Sequence, residues 1–97
     1  VNYSASKAAL VGMARSLTRE VGKRGITFNV VAPGFIETEM TAVLPTEVTD
    51  GFKAQTPAGR MGTVDDIANA VEFLCSDGAG YISGAVIPVD GGLGMGH

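Results

Sequence analysis

Ninety-seven residues allow at most one small domain, and a composition 45% hydrophobic and 18% charged is that of an ordinary globular chain rather than a disordered one. The net charge is -3 and the basic residues are scattered, which excludes the dense cationic surface of a nucleic-acid or anionic-membrane binder, and no apolar run approaches the roughly 20 residues of a membrane span. The single cysteine, Cys75, excludes an internal disulfide and a cysteine-rich zinc site, while the single histidine, His97, stands at the last position and leaves a nucleophile–imidazole triad without a well-placed base.

The sequence starts at Val1 and runs directly into a helix-like pattern, with neither the charged nor the apolar region of a signal peptide. The expectation is a C-terminal portion, residues 1–97, of a longer single domain, of cytoplasmic origin. Residues 3–22 read as a helix. Leu10, Met13, Leu17 and Val21 recur at helical spacing as one apolar stripe. Ala5, Ala9, Gly12 and Ser16 make a second stripe of small residues, so the helix is expected to pack on two sides. Gly22 and Gly25 supply stop signals, and Lys23 and Arg24 suit the negative end of the helix dipole.

Residues 27–32 are mostly apolar and rich in β-branched side chains, the pattern of a short strand covered on both faces of a parallel sheet; Pro33-Gly34 ends it. Residues 35–62 are irregular, with one or two short helices, one of them predicted near residues 46–54. Residues 64–76 form a second helix. Thr63 followed by Asp66 spells a capping box, and Ile67, Val71 and Leu74 give a buried stripe. Residues 85–90 read as a strand at or next to a sheet edge, because Pro88 cannot donate to a ladder. Gly91, Gly92, Gly94 and Gly96 suggest a flexible tail. Helix, strand, irregular insert, helix, strand is the closing order of an α/β doubly wound sheet, and two strands alone do not make a stable one.

Tyr3 and Lys7, four apart at the start of the first helix, lie on one face. An adjacent ammonium favours phenolate over phenol and so fits the tyrosine to exchange a proton near neutral pH. The same spacing also arises by chance in many helices. Ligands of open parallel sheets bind beyond the carboxyl ends of the strands, where Pro33-Gly34 falls. There, backbone groups of Ile36 and the Thr38 hydroxyl can hold a flat amide-bearing ring; alternatively, Pro33-Gly34 only turns the chain.

Tyr3-Ser4-Ala5-Ser6-Lys7 resembles the YxxxK motif of the short-chain dehydrogenase/reductase family. Asn29-Val30-Val31-Ala32-Pro33-Gly34 resembles its N-V-x-x-P-G segment, and Ile82-Ser83-Gly84 through Val89-Asp90-Gly91-Gly92 resembles its C-terminal signature. Within the family, residues 34–40, 57–60 and 81–84 are most similar to bacterial 3-oxoacyl-[acyl-carrier-protein] reductases, and the tail 92–97 to the ends of actinobacterial, mycobacterial-type members.

The resemblance implies the C-terminal part of a Rossmann-like doubly wound parallel sheet with a substrate lid inserted at about 39–62. It implies NADPH-dependent reduction of a 3-oxoacyl thioester in fatty-acid biosynthesis, with NADH left open. Tyr3 would be the general acid, and Lys7 would hold the nicotinamide ribose and lower the Tyr3 pKa. Pro33, Gly34, Ile36 and Thr38 would cradle the nicotinamide and its phosphate. Arg24 falls where such reductases carry a basic residue proposed to meet acyl carrier protein, although a solvated helix-end arginine explains it equally. The intact enzyme is expected to be a homotetramer. The glycine-rich phosphate loop, the catalytic serine and the active-site asparagine of the family fall upstream of Tyr3, so the chain needs an N-terminal portion to act and is expected to be inactive without it. Two alternatives stay open: a dehydrogenase of another ketone or alcohol (an acyl-CoA, a sugar, a steroid), and a non-catalytic remnant that only packs or oligomerises.

The remaining features have structural readings. Asp65 and Asp66 are explained by helix capping rather than by a metal. Cys75 reads as a small buried side chain and Tyr81 as a packing residue. The glycine tail reads as a docked tail rather than a phosphate loop, and Arg60 as a lid anchor whose carboxylate partner the sequence does not name.

Overall fold

The computed structural model describes residues 2–95, and for Asn2 and Tyr3 the backbone alone. The chain divides into two compact units, Val1–Val30 with Glu72–Ile87, and Val31–Val71 with Pro88–His97. It is an α/β arrangement with a small parallel sheet. β1 (Val30–Pro33) lies beside β2 (Val86–Val89). Val30 N–H donates to Ala85 O at 2.9 Å, and Gly34 N–H donates to Val89 O at 3.1 Å. Both partners advance together along the chain, which is the parallel register. Among the described residues no helix is long and apolar enough to cross a membrane.

In the first unit, α1 (Asn2–Val21) matches the predicted helix, and a 3-10 turn over Gly22–Arg24 closes it against Gly25. Thr18 ties this helix to the loop before β2. Its hydroxyl donates to Ala14 O at 2.7 Å and lies 3.2 Å from Ser83 Oγ. Ala14 is the buried position on α1. The predicted apolar stripe is less covered than expected, with Leu10 54% and Met13 58% exposed. Ala5, Ala9, Gly12 and Ser16 are exposed as well.

The first predicted strand starts three residues later than expected, at Val30 rather than Thr27. Over 28–29 side chains share the pairing with backbone groups. The Asn29 amide donates to Ile82 O at 3.0 Å and accepts from Ala85 N at 3.1 Å. Phe28 donates through its N–H to Ser83 Oγ at 3.2 Å, and its carbonyl accepts from Gly84 N at 2.7 Å. Val30–Ala32 are half-buried, so the expectation of a strand covered on both faces is not met by the two strands present. Tyr81 does not pack; it is fully exposed, and Ala79, in the adjoining 3-10 turn, is the buried residue of that loop.

The second unit contains the irregular insert. It holds two helices, α2 (Glu39–Ala42) and α3 (Thr46–Gln55), the latter close to the predicted 46–54. The Thr56 hydroxyl donates to Phe52 O at 2.7 Å at the end of α3, and Thr56 is buried. α4 (Val64–Leu74) starts in this unit and ends two residues before the predicted 76. Both the N–H and the hydroxyl of Ser76 donate to Phe73 O, which ends the helix locally. Cys75 therefore lies beyond the helix and is exposed, not buried. Of the predicted stripe on α4, Ile67 and Leu74 are half-buried and Val71 is 44% exposed.

The expected flexible tail is instead a series of hydrogen-bonded turns through Met95. The Asp90 carboxylate accepts from Gly92 N at 2.9 Å and from Gly94 N at 3.0 Å. Gly91, at φ +63°, approaches Thr56 and Ala58 closely, and its carbonyl accepts from Ala58 N at 3.0 Å. A side chain there would meet both a left-handed backbone and a neighbour within 3.0 Å. Gly96 and His97 lie outside the described residues.

Candidate functional site

The predicted site residues fall into two groups, one in each unit. In the first, Tyr3 and Lys7 lie on the uninterrupted helix α1, one turn apart, so the backbone places both positions on one helical face. Lys7 is half-buried, and the Tyr3 side chain is outside the described part of the structure.

The second group stands at the carboxyl end of β1, and the structure brings its members together. Pro33 is the last residue of the strand and is exposed. Gly34 meets the chain beyond β2 so closely that an added Cβ would lie 2.6 Å from Asp90 Cβ and 2.7 Å from Asp90 Cα. Only glycine permits that approach of two backbones. Phe35 stacks on Phe52 of α3 with ring centroids 4.2 Å apart and planes 18° apart.

Ile36 forms an isolated parallel bridge with Gly62. Gly62 N–H donates to Phe35 O at 2.9 Å, and Glu37 N–H donates to Gly62 O at 2.8 Å. In a parallel pairing the residue between two such bonds turns its own N–H and C=O to the opposite side. Ile36 thus presents an adjacent donor and acceptor beyond the strand end, and among the described residues neither has a hydrogen-bond partner. That pair is complementary to a carboxamide.

Thr38 is the N-cap of α2. Its Oγ1 accepts from Thr41 N at 3.4 Å, and its own N–H donates to Thr41 Oγ1 at 2.8 Å. Capping thus accounts for the acceptor side of this hydroxyl, at a long distance, and leaves its O–H donor uncommitted among the described contacts.

The partner of Arg60, which the sequence leaves unnamed, is Asp66. Arg60 Nη1 donates to Asp66 Oδ2 at 2.8 Å and Nη2 to Asp66 Oδ1 at 3.4 Å. Thr63 N–H donates to the same Oδ2 at 2.8 Å, and Asp66 N–H donates back to Thr63 Oγ1 at 3.2 Å. The predicted capping box is therefore present, with an arginine added to it. The Arg60 hydrogen bond first, and then the Thr63 backbone N–H, hold the Asp66 carboxyl down at about 2. The same pairing raises the Arg60 guanidinium.

A cavity of about 270 Å³ opens beside this pair, bounded among others by Arg60, Gly62, Asp66 and Asp90. Sequence reasoning did not find Asp90 or Gly62 as positioning residues. Their signal, a glycine opposite a strand end, is visible only once the pairing is known. No group of three or more potential metal ligands forms among the described residues.

A family model described as "Enoyl-(Acyl carrier protein) reductase" matches residues 1–94. The chain belongs to the short-chain dehydrogenase/reductase family. Among curated relatives of this family, it is 57% identical over 96 residues to the 3-oxoacyl-[acyl-carrier-protein] reductase MabA of Mycobacterium avium, covering 99% of the chain and 38% of that protein. The 3-oxoacyl-[acyl-carrier-protein] reductase FabG of Escherichia coli (strain K12) is 57% identical over 94 residues, with 97% of the chain and 38% of that protein covered. The MabA of Mycobacterium tuberculosis (strain ATCC 25618 / H37Rv) is 56% identical over 96 residues, with 99% and 39% covered. The chain thus spans less than two fifths of the length of these relatives.

Proposed function

We propose that the chain is the C-terminal portion of a cytoplasmic NADPH-dependent 3-oxoacyl-[acyl-carrier-protein] reductase of fatty-acid biosynthesis. The portion belongs to one Rossmann-like doubly wound domain, with residues 39–62 as the substrate lid. The observation that carries this reading is the Ile36 backbone, turned outward at the carboxyl end of β1 in a chain 57% identical to two such reductases. Open α/β sheets bind ligands at that end of their strands.

When bound, reduced nicotinamide supplies a hydride for the ketone carbon. Ile36 N–H and C=O would hold the carboxamide of the ring, Pro33 and Gly34 would line the strand end beside it, and the Thr38 hydroxyl would donate to the neighbouring phosphate. Tyr3 gives its phenolic proton to the developing alkoxide. Lys7 would bind the nicotinamide ribose hydroxyls, and its charge would stabilise the phenolate left behind and so lower the Tyr3 pKa. The phosphate loop and the serine that polarises the carbonyl come from residues upstream of Tyr3 in the whole protein. Arg24, exposed in the turn after α1, meets the acidic carrier protein. The small-residue face of α1 packs in a homotetramer.

A second reading takes an enoyl thioester as substrate, favoured by the description of the matching family model. The printed names of the 56–57% identical relatives favour the ketone. Oxidation of NADPH by the whole protein decides between them when 3-oxoacyl and 2-enoyl thioesters of carrier protein, and the 3-oxoacyl-CoA, are offered in parallel. The expected result is fastest turnover on the 3-oxoacyl carrier-protein thioester, and Tyr3→Phe should lower kcat by about 10²–10⁴-fold. Preferred turnover of the enoyl substrate, or near-normal turnover by the Tyr3→Phe variant, overturns the assignment.

A further inference from the structure

The Ile36–Gly62 bridge stands alone. It has no neighbouring ladder bonds to hold its register, unlike a bridge inside a strand pair. Something else must keep Gly62 in place, and the structure shows what does. Residues on both sides of Gly62 are gripped by one ion pair. Before it, the Met61 carbonyl accepts from Arg60 Nη1 at 3.0 Å. After it, Thr63 N–H donates to Asp66 Oδ2 at 2.8 Å, the same oxygen that Arg60 Nη1 reaches at 2.8 Å. Asp66 is fixed in turn at the start of α4 by the Thr63 hydroxyl.

We propose that Arg60 is a positioning residue for nicotinamide binding: paired with Asp66, it clamps residues 61–63 so that Gly62 holds the Ile36 N–H and C=O in their outward orientation. This rests on the functional reading above and deepens it. Arg60 touches neither the ring nor the substrate in this role. It acts through Gly62, whose N–H and C=O take Phe35 and Glu37. A purely structural salt bridge capping α4 would leave Ile36 indifferent to its loss, because Thr63 and Asp66 complete the capping box without the arginine.

The test uses the whole reductase and its Arg60→Gln and Arg60→Lys variants, with two readouts besides turnover. Hydrogen exchange of the Glu37 amide, which donates to Gly62, reports the bridge; fluorescence titration with NADPH reports cofactor affinity. Arg60→Gln is expected to speed Glu37 exchange and raise the Kd for NADPH, each about two- to fivefold, the scale of an exposed ion pair. The KM for the thioester should stay unchanged. Arg60→Lys, which keeps the charge, should recover most of both effects. Unchanged Glu37 exchange in Arg60→Gln overturns the clamp. Faster exchange with unchanged Kd overturns its role in cofactor binding. A wild-type protein that binds no nicotinamide cofactor overturns the functional reading and this inference with it, a failure seen without any variant.

Discussion

At the scale of single residues, the site depends on close approach rather than on buried side chains. Gly34 is the clearest case, because the atoms a methyl group would meet are Asp90 Cβ and the backbone Cα behind it, neither of which can swing aside. Gly34→Ala in the whole protein is therefore expected to lower stability by roughly 1–3 kcal/mol, the usual range for overpacking a tight contact. Chemical denaturation measures it. A loss below about 0.5 kcal/mol would show that the two backbones separate easily. Gly12 is the contrasting glycine, with open space around its missing Cβ. The Pro33-Gly34 pair was legible in the sequence as a strand end. The neighbour that makes Gly34 irreplaceable was not, because Asp90 lies 56 positions away and only strand pairing brings it near.

At the scale of elements, the start of α4 joins a local signal to a less local one. Thr63 and Asp66 form the capping box that their spacing predicts, while Arg60 joins it from outside the motif. The sign of the resulting pH dependence follows from the depressed Asp66 carboxyl. It is ionised and paired in the folded chain down to about 2, whereas an unfolded aspartate protonates near its reference value of about 4. The stabilisation is thus fully present above about 4 and is lost as pH falls towards 2. NMR titration should find Asp66 among the most acidic carboxyls, and Arg60→Gln should move its midpoint upward, since the arginine hydrogen bond is the largest cause of the shift. An unmoved midpoint would assign the shift to the Thr63 N–H instead. The strand boundaries show the opposite limit of local signals. Thr27 and Phe28 carry strand propensity, yet the Asn29 side-chain amide bonds Ile82 and Ala85 and β1 starts at Val30.

At the scale of the whole molecule, the described residues bury little. Ala14 and Ala79 are the buried apolar residues, while Leu10, Met13 and Phe73 remain more than half exposed. Two parallel strands cannot cover such helices, because a parallel sheet is stable only when several strands and both of its faces are packed. In the proposed reductase those surfaces meet the upstream strands and neighbouring subunits. Light scattering of the whole protein is expected to report a tetramer. Ala9→Arg, which places a long cation on the small-residue face of α1, should shift it toward smaller species. A monomeric wild-type protein would reject the proposed assembly.

The sequence by itself determined the long helices, the capping box of α4, the presence of two short strands, the YxxxK and N-V-x-x-P-G motifs and, through them, membership of the short-chain dehydrogenase/reductase family. All of these are written in periodicities or in neighbours within four or five positions. Only the tertiary structure decided that Cys75 and Tyr81 are exposed, that the glycine tail is held by Asp90, that Arg60 meets Asp66, and that Ile36 faces outward from Gly62. Each of these depends on where a chain end or turn points. Strand pairing, helix termination and a single ion pair set that direction, and hydrophobic patterning carries no information about it.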